Sequence, residues 1–440
     1  MEGWQLEIDD RTARGTAHRW RAGVLLADVI VGLALLTSFY VTSTSGVDKP
    51  APYDLLMAGV TVLVVILGLR LPRGLSWPAL FWGLVLAGVG LGGLSAIYVD
   101  KATTATMVLG YLIVTFIFFS SYVYEDPRRR LLLIFWCYTV AACAAALAGI
   151  AGYFGLAPGM FVEYGRAKGT FNDPNVFGPF LIAPILFLGY RLSLAGRLRD
   201  LWLAVPMIVL VLGLFLSFSR GAWGAFILSC VIFFVLTAKT ARSRTQITRL
   251  IGFAGFLTIL ATVVVGVALS IPEVSALFGE RFSLVQDYDV NSQTGRFESQ
   301  VRAIEMALRH PFGIGPSQWA MINHLDTHNV YIHLLVAGGF LAGLSFIGVV
   351  ILTIKRGWGA AKHSGSAQGL LIVAFSALVA HFAEAFIIDI DNWRHFYLLM
   401  GMVWGGILAA EAERAVHRRQ PKVFTREIEI ISPPQPGFRI

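Results

Sequence analysis

The sequence predicts an all-α polytopic membrane protein, with about twelve transmembrane helices and one long outer loop between the ninth and the tenth. Three observations predict it. Hydrophobic residues make up 56% of the 440 residues and charged residues only 14%, against roughly 45–50% and 25% in an average soluble domain. The charges are clustered, which leaves apolar stretches of the ~20 residues that a bilayer crossing takes. Those stretches are apolar on every side, whereas the strands of a transmembrane barrel alternate apolar and polar. The same composition excludes a soluble enzyme, a disordered chain and a fibrous one.

Twelve apolar runs follow in order, near residues 22–41, 53–71, 77–98, 102–122, 131–155, 176–190, 201–218, 221–238, 250–271, 328–353, 367–388 and 395–411. The polar segment 1–21 carries no cleavable signal pattern, so the first run is expected to stay as an anchor. The stretch 201–238 reads as two helices joined by a tight turn at Ser217-Phe218-Ser219-Arg220-Gly221. An arginine costs at least about 2.5 kcal/mol at the bilayer centre, and at a turn it reaches the interface. Segment 272–327 is the one large loop. It contains an amphipathic helix from Thr294 to Arg309, with Phe297, Val301, Ile304 and Leu308 at helical spacing. His310-Pro311 ends it, because proline cannot continue the hydrogen-bond ladder. Residues 22–411 thus form the membrane domain. The polar tail 412–440, with Ser432-Pro433-Pro434-Gln435-Pro436, reads as a disordered extension. Cys137, Cys143 and Cys230 lie inside apolar runs and form no disulfide framework.

The formal charge of +8 reads as membrane orientation rather than nucleic-acid binding. With the N-terminus in the cytoplasm and the runs alternating, the 35 Lys and Arg divide into 25 inside and 10 outside. Every inside segment is basic, so both termini are expected in the cytoplasm. Most of the outside cations fall in three places: the loop 156–175, the turn at Arg220, and segment 272–327.

Four groups of residues carry candidate chemistry. In Arg166-Ala167-Lys168-Gly169-Thr170-Phe171-Asn172-Asp173-Pro174-Asn175, two cations suit phosphate oxygens and asparagine suits sugar hydroxyls. Its Asn-Asp-Pro part is expected to cap the next helix. Arg220 lies on the side that the orientation rule keeps poor in positive charge, which favours function over lipid snorkelling. In His324-Leu325-Asp326-Thr327-His328-Asn329-Val330-Tyr331, His328 at the membrane–loop junction is the candidate base. His324 and His328 would share a helix face if the next helix starts early, with Asp326 near enough to help hold a metal. A third protein ligand and the glutamate of His-Glu-x-x-His are lacking, so neither metal nor cofactor is expected. His333 reads as a buried or interfacial contact. Asp389 and Asp391 are expected to pair with Arg394 or His395. Glu384 stays open between a structural and a functional role.

At these residues the chain resembles the bacterial O-antigen ligases and O-antigen polymerases, a family of polytopic lipid-linked glycan transferases. The matching pieces are Arg166…Gly169-Thr170-Phe171…Pro174-Asn175, Leu216-Ser217-Phe218-Ser219-Arg220-Gly221-Ala222, Gly295-Arg296, His310-Pro311-Phe312-Gly313-Ile314-Gly315-Pro316 and His328-Asn329-Val330-Tyr331. Their order and the long loop before the last three runs also match, over about residues 160–345. The resemblance implies an undecaprenyl-diphosphate-linked glycan as donor, and an acceptor hydroxyl on lipid A–core or another surface glycan. It implies inversion without metal, at the periplasmic face of the bacterial inner membrane. His328 would be the general base. Arg220 and Arg166, with Lys168 and Arg296, would hold the diphosphate. Asn175, Asn329 and Tyr331 would contact glycan or acceptor. A polymerase would use the same donor chemistry on a different acceptor. A twelve-span transporter of the major facilitator type would need similar halves and a basic, Asp-containing loop between the second and third runs. Here that loop is Arg70-Leu71-Pro72-Arg73-Gly74-Leu75-Ser76, without an acid.

The charge division fixes a topology that reporter fusions read directly. Fusions after Lys49, Lys101 and Ser292 should score external, and fusions after Arg73, Lys239 and Lys362 cytoplasmic. A cytoplasmic score after Ser292 would place all the candidate chemistry in the wrong compartment.

Overall fold

The computed structural model describes residues 25–37, 52–66, 71–194, 198–282, 295–363 and 365–419. The segment 1–21 and the tail beyond Arg419 lie outside the described residues. Each of the twelve apolar runs contains a helix: α1 (Leu25–Leu36), α2 (Pro52–Ile66), α3 (Ser76–Gly93), α4 (Val99–Glu125), α5 (Pro127–Tyr153), α7 (Pro174–Leu194), α8 (Ala204–Leu216), α9 (Arg220–Thr240), α10 (Arg244–Leu269), α14 (Val330–Ala361), α15 (Gln368–Glu384) and α16 (Arg394–Arg419). Among the described residues, eight of these are long and apolar enough to cross a membrane, and α1, α2, α8 and α15 are shorter apolar helices. A one-turn helix α6 (Pro158–Phe161) and a two-stranded hairpin, β1 (Val162–Glu163) and β2 (Arg166–Ala167), precede α7. The described parts of the long loop contain three helices, α11 (Pro272–Phe282), α12 (Arg296–Arg309) and α13 (Gln318–Asn323). α16 runs eight residues past the expected end of the membrane domain, so the first part of the tail 412–440 is helix.

Local signals set the boundaries. Asp126 caps α5 by accepting from the Arg129 N–H at 3.3 Å, with Pro127 in the first turn where its missing N–H costs nothing. Ser243 accepts from the Gln246 N–H and starts α10. In the bundle α3 lies along α14, α4 along α16, and α9 along α15. Trp82 at the centre packs against Phe116, Phe346, Phe396 and Tyr397.

Ends that strict alternation places on one side do touch. On one side Arg129 pairs with Asp28 at 2.6 Å, and Arg356 pairs with Glu411 while reaching the Gly74 carbonyl at 3.3 Å. On the other, Arg394 grips Asp54 and the Tyr98 N–H donates to Gln318 at 2.9 Å.

One long helix is broken. Gly338 and Gly339 in α14 leave helical geometry, and Gly339 has φ +66° and ψ −164°, open only to glycine. A break inside a membrane frees backbone groups that lipid cannot satisfy. Here the loop segment 310–316 satisfies them. Ile314 and Gly315 donate to the carbonyls of Val336 (2.9 Å) and Ala337 (3.0 Å), and the Phe340 N–H donates to the Pro311 carbonyl at 3.0 Å. The His310-to-Pro316 sequence is thus a backbone splint for α14.

α12 starts at Arg296, two residues later than expected. Its packed face consists of Ser299, Ala303 and Ala307, against Ile314, Trp319 and Val336. The large residues Phe297, Val301, Ile304 and Leu308 point outward.

An added Cβ at Gly339 would collide with the Pro311 carbonyl and lie 2.6 Å from Phe312 Cα. Gly339→Ala should therefore destabilise the protein by at least the roughly 1–3 kcal/mol of a strained backbone position. Thermal unfolding in detergent measures this against Gly359→Ala, where a Cβ meets nothing within 4 Å.

Candidate functional site

The first candidate motif is organised by the hairpin. Tyr164 (φ 50°) and Gly165 (φ 70°) form a two-residue turn with both residues left-handed, the geometry that suits tight hairpins. Glu163 pairs across it with Arg166. Arg166 is buried, and its guanidinium donates to the Ser217 carbonyl at 2.8 Å and to Asn175 Oδ1 at 2.6 Å. Asp173 accepts from the Asn175 N–H at 2.7 Å, the Asx-Pro start expected for α7. Lys168 reaches Glu163 at 3.5 Å. Arg166 and Asn175 therefore act together on the turn that leads into α9, and Lys168 is directed to the hairpin.

That turn begins where α8 ends at Leu216 and finishes where Arg220 opens α9, so the stretch 201–238 is two helices as expected. Phe218 is left-handed at φ 45°, a strained conformation that persists only where surroundings over-determine it. Phe218 is buried among Tyr153, Phe215 and Trp223. Ser219 caps α9 by accepting from the Ala222 N–H at 3.3 Å. Arg220, half-buried, thus stands on the first turn of a 21-residue helix, where the helix dipole favours an anion.

The histidine motif is not helical. α14 starts at Val330, so His324 and His328 share no helix face; both are left-handed, at φ 57° and 47°. Asn329 caps α14, its Oδ1 accepting from the N–H groups of Tyr331 (3.1 Å) and Ile332 (3.2 Å). The Tyr331 hydroxyl donates to the Phe382 carbonyl at 2.9 Å, and its ring stacks on Phe386. The side-chain groups expected at a glycan are therefore engaged in holding the start of α14.

The role of Asp389 is what the sequence pattern misses. Its carboxylate accepts from the Thr327 hydroxyl (3.2 Å), the His328 N–H (3.0 Å) and the Asn329 N–H (2.9 Å). Two successive N–H groups beside a left-handed residue form an anion-binding nest, and Asp389 is its anion. The expected pairing of Asp389 and Asp391 with Arg394 or His395 does not occur. Arg394 is held by Asp54, His395 stacks on Trp393, and Asp391 faces His333 Nε2 at 3.5 Å. Burial pushes the Asp389 carboxyl up to about 6. The Asp391 and Asp326 carboxylates add to the rise, and His333 and the Asn329 N–H oppose it.

Segment 384–391 joins the pieces. A Cβ on Gly221 would lie 3.1 Å from Ile387 Cδ1 and 3.4 Å from Glu384 Oε1, so the Arg220 turn sits against this segment. Arg296 Nη1 reaches the Ile387 carbonyl at 3.5 Å, and the Val330 N–H donates to the Ala385 carbonyl at 2.9 Å. One short stretch therefore touches the arginine turn, the loop helix and the histidine turn. Among the described residues, the group able to hold a cation is Asp326, His333 and Asp389, with ligand atoms within 4.8 Å of one another. His324 and His328 are not in it.

The arginine-bearing start of α9 and the clamped histidine turn thus meet at one end of the helical bundle through segment 384–391. Residues 205–347 match the model of a family described as O-antigen ligase. The match includes Arg220, Arg296, His328, Asn329 and Tyr331; Arg166, Lys168, Asn175 and Asp389 lie outside it. No curated relative matches the chain.

The raised Asp389 carboxyl gives a signed pH dependence. The folded protein binds this proton up to about 6, whereas an unfolded aspartate releases it near 3.9. In that window the folded state binds more protons, so this group's contribution to stability falls as pH rises through it. Thermal unfolding across the window should show that decline in the wild type and a flatter profile in Asp389→Asn.

Proposed function

We propose that the protein transfers a glycan from undecaprenyl diphosphate to an acceptor hydroxyl at the periplasmic face of the inner membrane, as an O-antigen ligase-type enzyme. The observation that carries this reading is the link through segment 384–391 between Arg220, on the first turn of α9, and His328, held by Asp389. The first is an anion site and the second a proton acceptor, on one rigid connection.

In the proposed reaction His328 removes the proton from the acceptor hydroxyl. The acceptor oxygen bonds to the anomeric carbon from the face opposite the diphosphate, and the bond from that carbon to the diphosphate oxygen breaks. The leaving group departs with the electron pair, and its growing charge falls on Arg220 and the N–H groups of α9, where preorganised donors lower the barrier most. Arg296 lies across the same segment and adds a second cation. Arg166 acts one step back, holding Ser217 and with it the strained turn that aims Arg220. Diphosphate leaves readily, so this route needs no metal. The ligase and polymerase readings share every step and differ in the acceptor. Both basic termini lie in the cytoplasm.

Transfer of a lipid-linked glycan by purified protein tests the roles. His328→Ala should lower transfer by about 10²–10⁴-fold, the range for losing a positioned base, with donor binding retained. Arg220→Lys keeps the charge but loses the planar fork, so it should still impair transfer; Arg220→Ala should be worse. EDTA and His324→Ala should leave activity intact. Loss in EDTA that added zinc or magnesium restores would overturn the mechanism. On gels of surface polysaccharide, deleting the gene should abolish capped lipopolysaccharide with lipid-linked polymer retained for a ligase, and leave single-repeat capping for a polymerase.

A further inference from the structure

The large apolar face of α12 has no protein partner among the described residues. Phe297, Val301, Ile304 and Leu308 recur every three or four residues on one side and are 58%, 52%, 40% and 65% exposed, and Phe312, just beyond the helix, is 71% exposed. A contiguous apolar stripe of this kind on a charged helix calls for a covering surface. We propose that this face of α12 lies in the outer leaflet of the bilayer as an interfacial anchor, with lipid rather than another protein as its partner.

Depth is the first argument. The packed side of α12 rests on Ile332, Leu335 and Val336 of α14. At about 1.5 Å per residue, Val336 lies about 9 Å below the start of that helix at Val330. α12 is therefore seated beside a membrane-spanning helix within its apolar length, not above it. Continuity is the second. At its first residue, Arg296 touches Ile387, beside the exposed Phe386. Past its last turn, Phe312 comes close to Gly92, near the outer end of α3, where Leu94 and Ile97 are exposed. The stripe thus bridges two stretches of the surface that the spanning helices turn to lipid. Chemistry is the third. Glu298, Arg302, Glu305 and Arg309 lie to one side of the stripe, the division of faces found in helices that lie in a membrane interface.

Spin labels test this in the full-length protein, with Cys137, Cys143 and Cys230 replaced by alanine, in nanodiscs of phosphatidylethanolamine and phosphatidylglycerol. Labels attached through Val301→Cys, Ile304→Cys and, independently of α12, Phe312→Cys should favour collisions with oxygen over a water-soluble nickel chelate. Their depth should be about 5–10 Å below the phosphate level. Labels through Glu298→Cys and Glu305→Cys should show the reverse preference. Equal nickel access at all five positions would overturn the proposal. So would shielding of positions 301 and 304 from both reagents, since that would mean a protein segment covers the stripe.

Discussion

Backbone hydrogen bonding in a medium without water is the constraint on which this architecture rests. α14 breaks at Gly338 and Gly339 within its apolar length, and the carbonyls of Val336 and Ala337 are met by the N–H groups of Ile314 and Gly315. That exchange fixes the end of the outer loop to the bundle. α12 then packs on the upper part of α14 through residues small enough for close approach, Ser299, Ala303 and Ala307. Gln300 reaches the Thr327 carbonyl at 3.0 Å, tying α12 to the turn that carries His328.

The second organising element is the stretch between α15 and α16. It combines a carboxylate in a backbone nest, carbonyls that accept from Arg296 and Val330, and an apolar side chain against Gly221. None of these contacts needs the others, yet all of them fix the same eight residues. A left-handed His328 and a left-handed Phe218 are each strained alone. Asp389 in the backbone nest holds the first, and burial among Tyr153, Phe215 and Trp223 holds the second.

The helices were legible because apolar length is a property of consecutive residues, and all twelve runs hold one. The Arg220 turn was legible because a central arginine is costly enough to exclude the alternative. Asp389 was not, because its partners are backbone N–H groups 60 and 61 residues away, and backbone groups leave no mark on composition. The pairing expected with Arg394 failed for a related reason: a partner 340 residues distant, Asp54, has the better geometry. The start of α14 carried a readable signal in Asn329, a strong N-cap residue, which places His324 and His328 outside the helix. For α12 the spacing of large residues located a stripe but not which side packs, since Ser and Ala look neutral in such a pattern and prove to be the contact.

A helix interrupted by two glycines is only as firm as what braces the break. The upper part of α14 is fastened sideways, by Tyr331 to Phe382 and by Val330 to Ala385, and the loop splint ties it across the two glycines to Phe340 of the long lower part. The histidine turn takes its height and heading from α15 rather than from the helix it belongs to. The end of the bundle that carries this turn is thus anchored by the segment after α15 as well as by its own helix.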